Sequence, residues 1–198
     1  MIEAYFNLKK PPFPKDIDPA DIFASECTRE LRQRLEYLKQ HRGMMLLTGG
    51  PGAGKTLHLR AFVASLNKNL YQCFYLPLST VNIMDFYRQL CSILGTDPPY
   101  RKAQLFACIQ SAIQDYVENM KKIPVIIFDE AHLFMSENFF ELQIITNFSF
   151  DSIDPAIFIL SGQPHLRDRL LGPIYQSFNQ RIFLKFHLTP LSKDETTD

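Results

Sequence analysis

Residues Gly49, Gly50, Pro51, Gly52, Ala53, Gly54, Lys55 and Thr56 fit the pattern G-x-x-x-x-G-K-[ST], and that spacing suits one chemistry, the holding of phosphate. The glycines permit positive φ and let backbone N–H groups close around an anion at a helix N-terminus. Lys55 is spaced to reach the β- and γ-phosphates of a nucleotide such as ATP, and the Thr56 hydroxyl to ligate Mg²⁺. Leu57, next in the chain, counts with the nucleotide-binding residues. At ordinary residue frequencies, a chance match in a chain this long is on the order of one in a hundred. The apolar run before the octet and the apolar-patterned segment after it lower that further.

A second acidic element stands at "IPVIIFDEAH", where a continuous apolar run ends in Asp129 and Glu130. A carboxylate at the end of a buried strand is placed to hold the water shell of a metal, which assigns Asp129 to Mg²⁺ alongside Thr56. Glu130, pointing the other way along the strand, is expected to face the γ-phosphate and to orient and deprotonate an attacking water. The bland alternative is that the two acids only cap a turn. Small-molecule kinases need no such second carboxylate, because their nucleophile comes from the substrate, so Glu130 favours hydrolysis over transfer. The tetrapeptide "DEAH" is also a helicase signature, but those proteins need two such domains and further motifs.

"AIFILSGQPHL" is a further apolar run with a polar end. Gln163, with Ser161 second, is expected near the water that Glu130 activates, where it would report the γ-phosphate; a plain turn is the alternative. "YQSFNQRIFLKFHL" places Arg181 between a helix and a strand. There it faces either a neighbouring copy's nucleotide, where it would stabilise transition-state charge, or a structural salt bridge. Arg167 and Arg169, on the preceding helix, are alternatives for that role but read rather as surface charges.

The elements that must position these residues alternate along the chain. Expected strands are Met44–Leu47, "YQCFYLPLS", Ile123–Phe128, Ala156–Leu160 and Ile182–Phe186. Between them lie expected helices: one capped by Ser25 and stopped at Gly43, then Lys55–Leu66, Ile83–Leu94 and Asn138–Asn147. A long one carries Leu105, Ile109, Ile113, Val117 and Met120 on one stripe. Short continuous apolar strands alternating with amphipathic helices mean an α/β fold, a parallel sheet covered on both faces with ligands at the strands' carboxyl ends. The 198 residues carry 21 basic and 21 acidic side chains, so no overall basic charge points to nucleic acid, although a local patch would suffice. No apolar run reaches the roughly 18 residues of a membrane span. The scattered Cys27, Cys73, Cys91 and Cys108 read as buried free thiols of a cytoplasmic protein.

Taken in order, "LTGGPGAGKT", "VIIFDEAH", "LQIITNF", "ILSGQPHLRDRL" and "QRIFLKFHLTPLSKDET" resemble the AAA+ ATPases of the ExeA-like group, which includes secretion-pathway and transposition-associated ATPases. The likeness covers nearly the whole chain. It implies a P-loop NTPase with a five-stranded parallel sheet. Residues 1–42 would form an arm and helix on a core of 43–190, and 191–198 the start of a helical lid that is otherwise absent. It implies an ATP- and Mg²⁺-dependent homo-oligomer with Arg181 as an arginine finger in trans. It also implies an adenine site built partly from Phe13 and Ile17. Secretion members carry a transmembrane segment after the ATPase, and none is seen here. The expectation is therefore a transposition regulator acting with a transposase on duplex DNA, with a secretion-type ATPase or a nucleotide-gated binding module as alternatives. Lys9, Lys10, Arg101 and Lys102 are unranked candidates for phosphate contact.

Overall fold

The computed structural model describes Tyr5, residues 17–77 and residues 82–196. Phe13, Lys9, Lys10 and the end of the second expected strand lie outside the described residues. The strands are β1 (Gly43–Gly49), β2 (Tyr71–Pro77), β3 (Ile123–Asp129), β4 (Ile157–Gly162) and β5 (Ile182–Leu188). They pair in parallel in the order β2-β3-β4-β1-β5. The helices are α1 (Glu26–His41), α2 (Lys55–Ser65), α3 (Ile83–Ile93), α4 (Lys102–Glu118), α5 (Ser136–Ile145), α6 (Pro164–Leu170) and α7 (Gln176–Gln180).

Side chains alternate across a strand, and here both faces are covered, which is why the strands read as unbroken apolar runs. Met44, Leu46, Ile126, Phe128 and Leu160 point to one side, where Phe86 and Leu90 of α3, Ile109 of α4, and Phe139 and Leu142 of α5 meet them. Met45, Leu47, Val125, Ile127 and Ile159 point to the other, against Leu31, Leu35 and Leu38 of α1 and Leu59 and Phe62 of α2. Each such buried side chain contributes about 1.5–3 kcal/mol relative to an exposed one. The sheet is thereby a rigid platform whose carboxyl edge is free to carry chemistry.

The helix ends follow the local residues. Ser25 Oγ accepts a hydrogen bond from the Thr28 amide at 3.1 Å and caps α1. At the other end Arg42 and Gly43 both take positive φ, 59° and 91°; the chain reverses there and Gly43 opens β1 directly. In α4 the buried stripe is Leu105, Ile109, Ala112 and Ile113. Met120 does not extend it: α4 stops at Glu118, and Met120 is exposed in the turn into β3. Of the four free cysteines only Cys91 is fully buried; the other three are partly covered.

His58, in the first turns of α2, faces α1 across a groove lined by Arg32, Leu35 and Phe62. Burial, helped by the Arg32 charge, holds its pKa below the usual 6.5. The unfolded chain therefore binds a proton that the folded chain resists. Stability is fully present above about pH 6.5 and declines as pH falls from there towards the depressed folded value. Thermal midpoints measured from pH 7.5 down to 5 should fall below pH 6.5, and His58→Gln should flatten that slope. An unchanged slope in the variant would contradict the assignment.

Candidate nucleotide site

Parallel pairing brings three strand ends to one edge. Thr48 of β1 is level with Gly162 of β4, and Phe128 of β3 with Leu160 of β4. The glycine loop, Asp129 and the Ser161–Gln163 segment are therefore neighbours, with β4 between β1 and β3, as expected for Gln163. Gly49 has no alternative residue: a Cβ there would stand 2.7 Å from the Leu188 carbonyl oxygen. Gly52 and Gly54 turn the loop with φ of 74° and 90°, and no side chain caps α2 at Gly54. The first turn of α2 is thus left open to an anion.

Lys55 is buried, with 7% of its surface exposed. Its Nζ donates to the carbonyls of Gly49 at 2.8 Å and Gly50 at 3.0 Å, which hold the ammonium over the loop. Thr56 Oγ1 donates to Asp129 Oδ2 at 2.8 Å. Asp129, 2% exposed, accepts at the same oxygen from the Tyr75 hydroxyl at 2.9 Å, and at Oδ1 from the Glu130 amide at 3.0 Å. Among the described residues, no three His, Cys, Asp or Glu side chains gather to hold a metal alone. One hydroxyl beside one carboxylate is nonetheless the donor set that Mg²⁺ takes when phosphate oxygens and water complete its shell. Thr56 and Asp129 fit that ion.

Glu130 does not continue the strand. Its backbone is left-handed, φ 55° and ψ 32°, a conformation that costs a residue with a Cβ about 1–2 kcal/mol. The turn, not strand alternation, aims its carboxylate. Glu130 Oε2 lies 3.1 Å from His132 Nδ1, and the His132 ring meets His165 edge-on with centroids 5.0 Å apart. Burial lowers the His132 pKa despite the opposing Glu130 charge. Among the described residues, His132 Nδ1 makes no hydrogen bond, so its contact with Glu130 is one of proximity.

Gln163 occupies the N-cap position of α6 with extended backbone, but its side chain makes no capping bond. Ser161 is fully buried, and its hydroxyl has no hydrogen-bond partner among the described residues. Gly162 admits the turn after Glu130: a Cβ there would stand 3.1 Å from the His132 amide nitrogen.

Arg181 lies elsewhere. It precedes β5, whose seven residues run parallel to β1 from Ile182, beside Met44, to Leu188, beside Gly49. At about 3.3 Å per residue that is roughly 20 Å from the glycine loop of its own chain. Its Nη1 meets Asp151 Oδ1 at 2.5 Å, so the salt-bridge alternative is realised within the chain. Asp151 follows Ser149 and Phe150 in a turn in which all three have positive φ. Arg169 is not the surface charge expected of it. It donates to the Phe134 carbonyl, the Tyr175 hydroxyl and Ser136 Oγ, and its guanidinium lies over the Phe139 and Tyr175 rings. Arg167 is exposed as expected. At the arm, the Ile17 carbonyl accepts a hydrogen bond from Arg60 of α2 at 2.8 Å.

Tyr75, Asp151 and His165 were not expected at these places. Nothing local marks them, because each is brought in by an element distant in the chain.

Comparison with known proteins agrees with this geometry. Residues 37–170 match a family described as AAA domain. General secretion pathway protein A of Aeromonas hydrophila is 29% identical over 98% of this chain. The chain spans only 36% of that relative's length. Among solved structures, Cdc6p from Pyrobaculum aerophilum superposes with a TM-score of 0.66 at 15% identity, covering 98% of this chain and 50% of that one. The Aeropyrum pernix ORC2 protein in its ADP form gives 0.63 at 17% identity, covering 98% and 53%. At these identities the two structures speak to the fold alone, a five-stranded parallel sheet flanked by helices. Among the described residues no helix is long and apolar enough to cross a membrane. With its phosphate loop, its adjoining carboxylates and a family match over most of its length, the chain belongs to the AAA domain family.

Proposed function

We propose that this chain binds ATP with Mg²⁺ and hydrolyses it to time an assembly of copies of itself. The observation that carries the reading is the Thr56–Asp129 contact beside a buried Lys55, with Glu130 adjoining on a turn. Lys55 exchanges its loop carbonyls for β- and γ-phosphate oxygens, and the loop amides from Gly49 to Leu57 hold the β-phosphate. Thr56 and Asp129 hold Mg²⁺, which when bound neutralises charge on the β- and γ-phosphate oxygens. Glu130 orients a water and takes its proton as the water oxygen bonds to the γ-phosphorus. The bond to the β–γ bridging oxygen breaks, giving ADP and phosphate. Gln163, uncommitted at the end of β4, contacts the γ-phosphate or the water, and Ser161 is the second candidate. Ile17 borders the adenine; Phe13, expected with it, lies outside the described residues.

Arg181 stands at the opposite edge from its own nucleotide, which leaves it a neighbour's nucleotide to act on. The arrangement is head-to-tail, one copy's amino edge against the next copy's carboxyl edge. For partners, the first reading is a transposase and duplex DNA, with phosphate contacts by Lys and Arg. The second is a secretion-type role, favoured by the 29% identity to general secretion pathway protein A.

ATPase rate against protein concentration, with and without duplex DNA, tests both. A specific rate that rises with concentration, and again with DNA, is expected. A flat rate unaffected by DNA would set aside the transposition reading and the finger in trans together. Lys55→Ala should abolish binding of a fluorescent ATP, and with it the rate in the same assay.

A further inference from the structure

We propose that Tyr75 is a positioning residue for the metal-holding carboxylate, fixing Asp129 through its hydroxyl so that the other carboxylate oxygen faces the metal's water. The inference rests on the reading of Thr56 and Asp129 as the Mg²⁺ pair.

β2 is an edge strand, and such strands need not reach a catalytic centre. Here Tyr75 is level with Ile127, and Pro77 with Asp129, so Tyr75 must cross the sheet diagonally to meet the carboxylate. A diagonal of that kind, about 7–8 Å between backbones, is within reach of an aromatic side chain but not of a short one. With Thr56, Leu59, Phe74 and Ile127 the ring borders an apolar cavity of about 390 Å³, and 49% of the residue's surface stays exposed. Its hydroxyl ends on Asp129 Oδ2 at 2.9 Å.

That oxygen receives two donors from two different elements, Thr56 from α2 and Tyr75 from β2. Oδ1 receives the Glu130 amide and keeps lone-pair capacity for a metal-bound water. A carboxylate held on one side only can rotate about its last bond; held from both sides it cannot. A phenol hydroxyl facing a carboxylate, which can only accept, is the donor of the pair. The residue is half exposed, yet its hydroxyl is bonded to the buried carboxylate.

The test is binding of a fluorescent ADP to the full chain, titrated with Mg²⁺ and repeated in EDTA, for wild type, Tyr75→Phe, Tyr71→Phe and Asp129→Asn. Loss of an outer partner that orients a metal-binding group costs on the order of 10–100-fold in metal affinity. Tyr75→Phe should therefore need about tenfold more Mg²⁺ for half its effect. Its affinity in EDTA and its thermal midpoint should stay unchanged, and Tyr71→Phe should match wild type. An unchanged or tighter Mg²⁺ requirement in Tyr75→Phe, with Asp129→Asn impaired, would overturn this inference alone. If Asp129→Asn keeps a wild-type Mg²⁺ requirement, the site reading beneath it fails.

Discussion

Glu130→Gln should bind ATP as tightly as the unaltered chain while turnover falls by about 10²–10⁴-fold. The amide keeps the size of the carboxylate, and the left-handed turn at residue 130 is a backbone property that the change does not touch. What is lost is the ability to take a proton from water. Because Glu130 is half exposed and its only close side-chain contact among the described residues is His132, the substitution should leave the fold intact. Equilibrium binding of fluorescent ATP measures the first quantity, and phosphate release under single-turnover conditions the second. Hydrolysis retained within tenfold of wild type would remove Glu130 from the water-activating role and leave the Asp129–Glu130 pair as a turn element.

Arg181→Ala should lower turnover by about 10³-fold or more, again with ATP binding unchanged, since residue 181 lies at the edge of the sheet opposite the glycine loop. Mixing it with Lys55→Ala copies should restore activity. One copy then offers an intact phosphate site and the other an intact arginine, which only an interface can combine. The contact with Asp151 does not forbid this. The Arg181 side chain is mostly covered, but Asp151 is 56% exposed, and with one end in solvent the pair is worth on the order of 1 kcal/mol, which a neighbour's phosphate can offset. Asp151→Asn separates the two readings of Arg181. A purely structural arginine predicts that Arg181→Ala and Asp151→Asn lose similar thermal stability and neither changes turnover. A finger predicts that only Arg181→Ala stops hydrolysis.

The site that the structure presents was legible in part from the chain itself, and the division has a physical basis. The glycine loop is local. Lys55 follows Gly54, and the backbone between Gly49 and Thr56 can close around phosphate only with glycine where φ is positive, so covalent spacing alone announces it. Asp129 is local too, being the polar end of an apolar run, and a strand buried on both faces must show such a run. The strands followed for the same reason. β1, β4 and β5 proved longer than their apolar runs, because Thr48, Ser161 and His187 are polar residues that the ladder still pairs.

What only the tertiary structure decided is whatever depends on the order β2-β3-β4-β1-β5, which no period in the sequence encodes. That order sets Tyr75 beside a carboxylate 54 positions later. It places β4 between β1 and β3, so that the segment carrying Gln163 follows a strand end beside the loop and Asp129. The turn at Glu130, rather than strand alternation, sets its carboxylate beside His132, and the packing of α6 brings His165 against that ring. Arg169 has the sequence context of a surface charge, yet the rings of α5 and the turn before α7 draw it in, because stacking a guanidinium on aromatics and bonding it to a carbonyl offsets its burial. Arg181 shows the same division: sequence placed it before the last strand, and the parallel sheet carried it to the far edge. Spacing along a chain fixes what one loop can bind, whereas which distant side chain aims and completes that loop is fixed by how strands pair.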